Sequence, residues 1–183
     1  MKSSLKPIAG SGPNPSRTGS TVPLLKNEAI IKELYTRVEG EDTLPDRGAV
    51  LVDLARWQAD RSALIARGSE IGVRLTSAEA PEAIADDLSQ LSLVALEFPA
   101  FTDGRAYSYA RLLRERYGFQ GEVRAVGDVL LEQLHFMHRS GFDCFEFSSD
   151  QPEEDWIIAQ ADMKVWYQPT GDKRPTATQL RRR

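Results

Sequence analysis

Five short apolar runs are spread along the middle of the chain, and each has the length and composition of a buried β-strand. The residues within each run are mostly apolar rather than strictly alternating with polar ones, which indicates strands that are covered on both faces. The predicted strands are AVLVDL (49–54), IGVRL (71–75), LVALEF (93–98), EVRAVG (122–127) and CFEF (144–147).

Helical patterns occupy the intervals between these strands. A helix is predicted after the second strand, with Ser77 as its N-cap and apolar residues at helical spacing from Ile84. Another is predicted after the fourth strand, with Asp128 as its N-cap and Gly141 placed to end it in the left-handed conformation. Further helices are predicted over 60–67, after the third strand, and over 153–167.

The helix after the third strand is predicted to have one apolar side and one charged side. Tyr109 and Leu113 belong to the stripe that is expected to face the core. Arg111, Arg114 and Glu115 are expected to face solvent, where Arg111 lies one turn from Glu115.

The alternation of strands and helices predicts parallel strands that are joined by right-handed crossovers. We therefore expect an α/β fold with one open, mainly parallel sheet of about five strands and helices on both of its faces. A partial barrel is the minor alternative, because a closed barrel needs eight strands and usually a longer chain. In either arrangement a ligand is expected at the carboxyl ends of the strands.

Composition divides the chain of 183 residues into one ordered body and two loose ends. Residues 1–23 are rich in serine, glycine and proline, and they are expected to be disordered. Residues 24–168 are expected to form a single α/β domain, since this length supports one compact core. Residues 169–183 form a basic tail that is expected to be flexible.

The net charge of -4 argues against a protein that binds nucleic acid. No segment approaches the roughly 18 consecutive apolar residues that span a bilayer, so no membrane association is expected. The first residues lack the apolar region of a secretory signal, and a cytoplasmic location is the expectation. Cys144 is the single cysteine, which allows no internal disulfide and no paired-cysteine metal or redox motif.

The turn TDGR (102–105) follows the third strand and carries an acid and a base at the start of a helix. Asp-Gly favours a tight turn because glycine tolerates a positive φ, and the helix start presents unpaired backbone N–H groups. In one interpretation Arg105 binds a sulfate, sulfite, phosphate or carboxylate there, pointing towards the helix start. In the other, Asp103 caps the helix and Arg105 forms a structural salt bridge. Both interpretations stay open, and the candidate anion-binding residues are Asp103, Gly104, Arg105, Ser108, Arg124 and Asp128.

Other chemically active residue types are sparse. His135 and His138 share one helical face, but an HxxH pair without a further ligand is weak evidence for a metal, and no metal site is predicted. Cys144 is expected to be a small buried side chain rather than a nucleophile. The chain contains none of the standard loops that bind dinucleotides or ATP, so no cofactor is predicted and the catalytic residues are unknown.

One long stretch resembles a known family. Residues 98–147 read FPAFTDGRAYSYARLLRERYGFQGEVRAVGDVLLEQLHFMHRSGFDCFEF, and residues 50–75 read VLVDLARWQADRSALIARGSEIGVRL. Both resemble the bacterial family called domain of unknown function 934, over about residues 44–168. Glu132 stands where the family pattern often has aspartate, a difference that conserves charge.

The resemblance implies a role in sulfur metabolism. Members of this family are commonly labelled oxidoreductases of sulfite reduction, because they accompany assimilatory sulfite reductase in bacterial cysteine biosynthesis. The expectation is therefore an accessory protein of that process, which binds sulfite reductase or a sulfur oxyanion such as sulfite or sulfate. Two alternatives stay open: a structural interaction module, and a small enzyme that acts on an anionic substrate with Glu97 or Glu146 as acid or base.

Overall fold

The structure is a computed structural model, and it describes residues 23–27, 29–147, 149, 151–161, 166–170 and 175–181. These residues form one mixed sheet of eight strands. The strands are β1 (Leu24–Lys26), β2 (Ala29–Ile31), β3 (Thr36–Val38), β4 (Val50–Asp53), β5 (Ile71–Leu75), β6 (Leu93–Phe98), β7 (Glu122–Gly127) and β8 (Cys144–Glu146).

The strands β3 to β8 stand side by side in sequence order, and each pairs parallel with its neighbour. At the far end β1 pairs antiparallel with β8, and β2 pairs antiparallel with β1. All five predicted strands are confirmed to within one residue at each end. Three strands of three residues each were not predicted from the sequence, namely β1, β2 and β3.

Helical segments follow the strands, as the alternating pattern predicts. They are α1 (Leu54–Ala66), a 3-10 helix (Pro81–Gln90), α2 (Arg105–Arg111) with a π-helical continuation (Leu112–Arg116), α3 (Leu131–Ser140), α4 (Pro152–Ala161) and α5 (Ala177–Arg181). In the part of the chain that the structure describes, a helix with the length and apolar character to cross a bilayer does not occur.

The sheet curls into a half barrel, and the prediction of helices on both faces is wrong. Buried residues of α1 to α4 and of the 3-10 helix share one core cluster with strand residues such as Val52 and Val94. The opposite, concave face buries a separate and smaller cluster that includes Leu51 and Ala95. The order of β3 to β8 across the sheet is the same as their order in the sequence. Each right-handed crossover therefore moves the same way along the sheet and places its helix on the same face.

Two predicted helix starts are also wrong. The 3-10 helix begins at Pro81 rather than after Ser77, and proline suits that position because it has no N–H group to leave unpaired. The helix α3 begins after Leu130 rather than after Asp128. Its end is as predicted, since Gly141 takes the left-handed conformation with a φ of 114°.

Three predictions fall partly outside the described residues. Of the segment 1–23, only the last residue is described. The helix predicted over 153–167 is described as α4, and residues 162–165 lie outside the described part. Within the predicted tail 169–183, the described residues include α5 and a β-bridge between Trp166 and Thr176.

Arg114 points inward, and the prediction that it faces solvent is wrong. Its guanidinium donates hydrogen bonds to the carbonyl oxygens of Phe119, Gly121 and Gly141 at 2.7, 2.7 and 2.9 Å. It also donates to the carboxylate of Asp143 at 3.0 Å. These acceptors lie in the loops before β7 and β8, so Arg114 ties the π-helical continuation of α2 to the amino ends of two strands.

We predict that Arg114→Ala lowers the free energy of unfolding by about 2–4 kcal/mol, because several partly buried acceptors lose their donor together. The matched control is Arg111→Ala, since Arg111 is 57% exposed and pairs with Glu115 at 2.8 Å on the solvent face, as predicted. That substitution is expected to change stability by less than about 0.5 kcal/mol. Urea denaturation of both variants checks this, and equal losses would contradict it.

Candidate functional site

The TDGR loop (102–105) lies where β6 leads into α2, at the carboxyl edge of the sheet. Arg105 closes a two-pronged salt bridge with Asp103, with Nη2 at 2.6 Å and Nε at 3.0 Å from the two carboxylate oxygens. The backbone N–H of Arg105 also donates to Asp103 at 3.2 Å. The geometry expected for an anion site, with Arg105 clear of Asp103, is therefore wrong.

This pairing sets the chemistry of the loop. Hydrogen bonds from the side chain and backbone of Arg105 hold the pKa of Asp103 well below its ordinary value, so Asp103 is a weak base. Gly104 has a φ of -86°, and the positive φ expected for the Asp-Gly turn is wrong. A Cβ atom at Gly104 would meet only the Tyr107 ring, at an ordinary contact distance of 3.9 Å.

Arg105 also joins the loop to the neighbouring strand. Its Nη2 donates to the hydroxyl of Ser77 at 2.8 Å, and Ser77 follows β5. The hydroxyl of Tyr109 donates to the carbonyl of the same serine at 3.2 Å. No described residue accepts a hydrogen bond from Nη1 of Arg105, whose side chain is 54% exposed. This part of the guanidinium is open to an external anion.

The other predicted site residues do not converge on this loop. Arg124 is only 1% exposed and lies on the concave face, where it pairs with Glu122 and Glu33 at 2.7 Å each. Its grouping with the TDGR loop is therefore wrong, because its strand position directs it to the opposite face from α2. Asp128 does reach the loop segment, since its carboxylate accepts the N–H of Phe101 at 2.9 Å.

The helix start is also less open than expected. The N–H group of Tyr107 already donates to the carbonyl of Gly104 at 3.2 Å. Ser108 is exposed and lines a shallow groove on α2 together with charged residues that include Arg111 and Glu115. Ser108 therefore lines this groove, and no hydrogen bond between described residues joins its side chain to the Asp103–Arg105 pair.

The concave side of the same edge carries two further ion pairs. Arg37 on β3 pairs with Glu146 on β8, which brings the two ends of the parallel array together. Arg74 on β5 pairs with Glu97 on β6 at 2.8 Å. Glu97 and Glu146, the acid or base candidates of the enzyme interpretation, are therefore both engaged with guanidinium groups.

An exposed aromatic pair, Phe101 and Phe136, lies beside the loop and was missed by the sequence analysis. Their residues are 57% and 54% exposed. The amide of Gln133 donates to the carbonyl of Phe101 at 3.1 Å, which holds the Phe101 segment against α3. The ring of Tyr107 lies 5.0 Å from that of Phe136, and burial raises the pKa of Tyr107 to about 12. The sequence carries one signal for this pair, because the apolar residue Phe136 lies between Leu134 and Met137, the residues of α3 that face the core.

The two histidines do not share a ligand site. His135 stacks on Trp166 with ring centroids 4.5 Å apart, whereas His138 meets Trp156 edge to face at 5.4 Å. Among the described residues, no group of three or more histidine, cysteine, aspartate or glutamate side chains is arranged to hold a metal ion. The prediction that Cys144 is buried is confirmed, at 0% exposure.

We predict that Cys144 is inert in the folded protein. Burial, together with the charge of Glu122, raises the pKa of its thiol, which removes the reactive thiolate. Ellman's reagent is expected to modify Cys144 at least about a hundredfold more slowly in buffer than in urea, because access requires unfolding. Modification within seconds in buffer would contradict this and would make Cys144 a candidate nucleophile.

Comparison with known proteins places the chain in a family. A search of curated proteins finds no significant match to it. The model of the family DUF934, described as a bacterial protein of unknown function, matches residues 72–178. The match runs from β5 to the start of α5 and includes the TDGR loop and the aromatic pair. Since the matched residues make up more than half of the chain, the protein belongs to the DUF934 family.

Proposed function

We propose that this protein acts by binding a partner protein, as an accessory of assimilatory sulfite reduction and cysteine biosynthesis. The proposed partner is sulfite reductase, and the proposed binding surface is the carboxyl edge around Phe101 and Phe136. The link to sulfite reduction comes from the sequence resemblance. The binding mode is supported by one observation, which is that exposed aromatic rings lie beside charges that are already paired.

The paired charges favour binding over catalysis. A general base must accept a proton readily, and the lowered pKa of Asp103 works against that role. Glu97 is held by Arg74 at 2.8 Å, and Glu146 is held by Arg37. Salt bridges of this kind fit the rim of a protein interface, where they set orientation and exclude wrong partners.

The aromatic pair fits the centre of such an interface. Aromatic rings are enriched among the residues that dominate binding energy, because they bury a large apolar area with few rotatable bonds. Phe101 and Phe136 stand on two different segments that Gln133 ties together, so the surface is held in place before binding. An ordered surface loses less conformational entropy when a partner binds.

We predict that the purified protein binds purified sulfite reductase and that Phe101→Ser and Phe136→Ser each weaken binding about tenfold or more. Isothermal titration calorimetry gives the affinities. Leu34→Ser is the matched control, because Leu34 is 69% exposed but lies at the other edge of the sheet. The next residue, Tyr35, places it there, since its hydroxyl contacts Glu70 and Ser92 at the amino ends of β5 and β6. An equal loss in the control, or no binding by the wild type, would refute the proposal.

Binding of a sulfur oxyanion is the second candidate, and the open Nη1 of Arg105 favours it. A small enzyme that acts on an anionic substrate would bind its substrate at the same guanidinium, so the enzyme alternative belongs to this candidate. Repeating the titration with millimolar sulfite in place of the reductase separates it from the first. The anion site is supported if the wild type gives a saturable heat of sulfite binding that is lost in Arg105→Ala and kept in Arg111→Ala.

A further inference from the structure

Two exposed carboxylates lie beside the two exposed aromatic residues at the carboxyl edge. Asp128 is exposed, and its carboxylate accepts the N–H of Phe101 at 2.9 Å. Glu132 is exposed in the first turn of α3, one turn before Phe136 on the same side of the helix. Gln133, the neighbour of Glu132, donates to the carbonyl of Phe101 at 3.1 Å. Each aromatic residue therefore has a carboxylate group as a near neighbour.

The negative charge of these two carboxylates is not balanced by a cation. Among the residues that the structure describes, no lysine, arginine or histidine forms an ion pair with Asp128 or Glu132. The arginines of this edge each pair with a different carboxylate, as Arg37, Arg74 and Arg105 do. Net negative charge therefore borders the aromatic pair.

Exposed phenylalanine rings beside carboxylates suit a long side chain with a positive charge. The aliphatic stem of lysine or arginine packs on apolar surface while its charged end stays in water. The cation is attracted to the electron-rich face of an aromatic ring, and it forms charge-assisted hydrogen bonds with a carboxylate. An acidic protein segment or a nucleic acid would instead bring like charges together, which is unfavourable.

We propose that the partner presents a basic segment to this surface, in which lysine or arginine side chains lie beside apolar ones. The cationic groups pair with Asp128 and Glu132, and the apolar groups cover the rings of Phe101 and Phe136. The inference rests on the proposed function, because it names the chemistry of the protein segment that binds there. Attraction of this kind speeds association and weakens as the salt concentration rises.

Neutral variants of nearly the same shape test the inference. Asp128→Asn keeps an oxygen that can accept the N–H of Phe101, and Glu132→Gln keeps the length of the side chain. Glu154→Gln is the matched control, because Glu154 is also an exposed acid in the first turn of a helix, α4. An effect that comes only from removing an acid at a helix start is therefore shared by the control.

The first measurement is fluorescence anisotropy with two dye-labelled, capped peptides. One peptide alternates leucine with arginine, and the other has glutamate in place of arginine. We expect the full chain to bind the basic peptide at least about tenfold more tightly than the acidic one. Asp128→Asn and Glu132→Gln are each expected to weaken binding of the basic peptide about threefold to fivefold, as for an exposed ion pair, while Glu154→Gln keeps wild-type affinity.

The second measurement repeats the calorimetric titration of sulfite reductase with the double variant Asp128→Asn/Glu132→Gln. We expect this variant to bind about tenfold or more weakly, because both ion pairs are lost. Equal affinity in the double variant and the wild type would overturn the inference and leave the proposed function standing. Absence of reductase binding, together with the expected peptide results, would refute sulfite reductase as the partner and support a basic segment of a different protein.

Three peptide results would also overturn the inference. Equal or tighter binding of the acidic peptide would show that the surface attracts negative charge, through the open side of Arg105. Absence of saturable binding by either peptide would show that the rings and carboxylates do not form a binding surface for a basic segment. An equal loss in Glu154→Gln would show that the basic peptide binds to the negative charge of the whole protein.

Discussion

A buried arginine on the concave face holds the half barrel together. Arg124 is 1% exposed, pairs with Glu122 and Glu33 at 2.7 Å each, and lies 5.5 Å from the centre of the Tyr35 ring. Desolvation alone would raise the pKa of Glu122, but Arg124 and Lys26 outweigh it and the pKa is lowered. Because Glu33 precedes β3, the network draws that edge of the sheet across towards β7. This network stabilises the curl of the sheet, whereas the single helical layer follows from the order of the strands.

Much of the fold could be predicted from local patterns, and the rest depends on contacts between distant residues. The five long strands and the glycine that ends α3 carry strong local signals, and they were found to within one residue. The strands β1 to β3 have three residues each and are stabilised by pairing and by ion pairs such as Arg37–Glu146, which join positions far apart in sequence. Helical spacing alone places Arg114 on the solvent side. Its carbonyl acceptors lie in two loops, and helical spacing carries no information about them.

The candidate site shows the same division. Sequence reasoning found the TDGR loop at the carboxyl edge, and it proposed both a capping role and an anion role for the Asp103–Arg105 pair. It grouped Arg124 with that pair, although alternate residues of a strand point to opposite faces and α2 covers only one of them. Phe101 and Phe136 are 35 positions apart in the sequence, and the hydrogen bond from Gln133 to the carbonyl of Phe101 ties the segment of Phe101 to the helix that carries Phe136. A single sequence motif does not contain this contact. The edge therefore presents a formed surface of rings and paired charges.

The charges inside the half barrel are structural, and the proposed binding surface lies at its rim. Urea denaturation of Arg124→Met, with and without millimolar sulfite, tests this most directly. We expect a loss of about 3–5 kcal/mol in the free energy of unfolding, because two carboxylates lose their buried partner. Arg74→Met, at a pair whose arginine is 32% exposed, should lose only about 1 kcal/mol. Similar small losses in both variants, with a stabilising effect of sulfite on the wild type that Arg124→Met abolishes, would instead show that Arg124 binds a ligand.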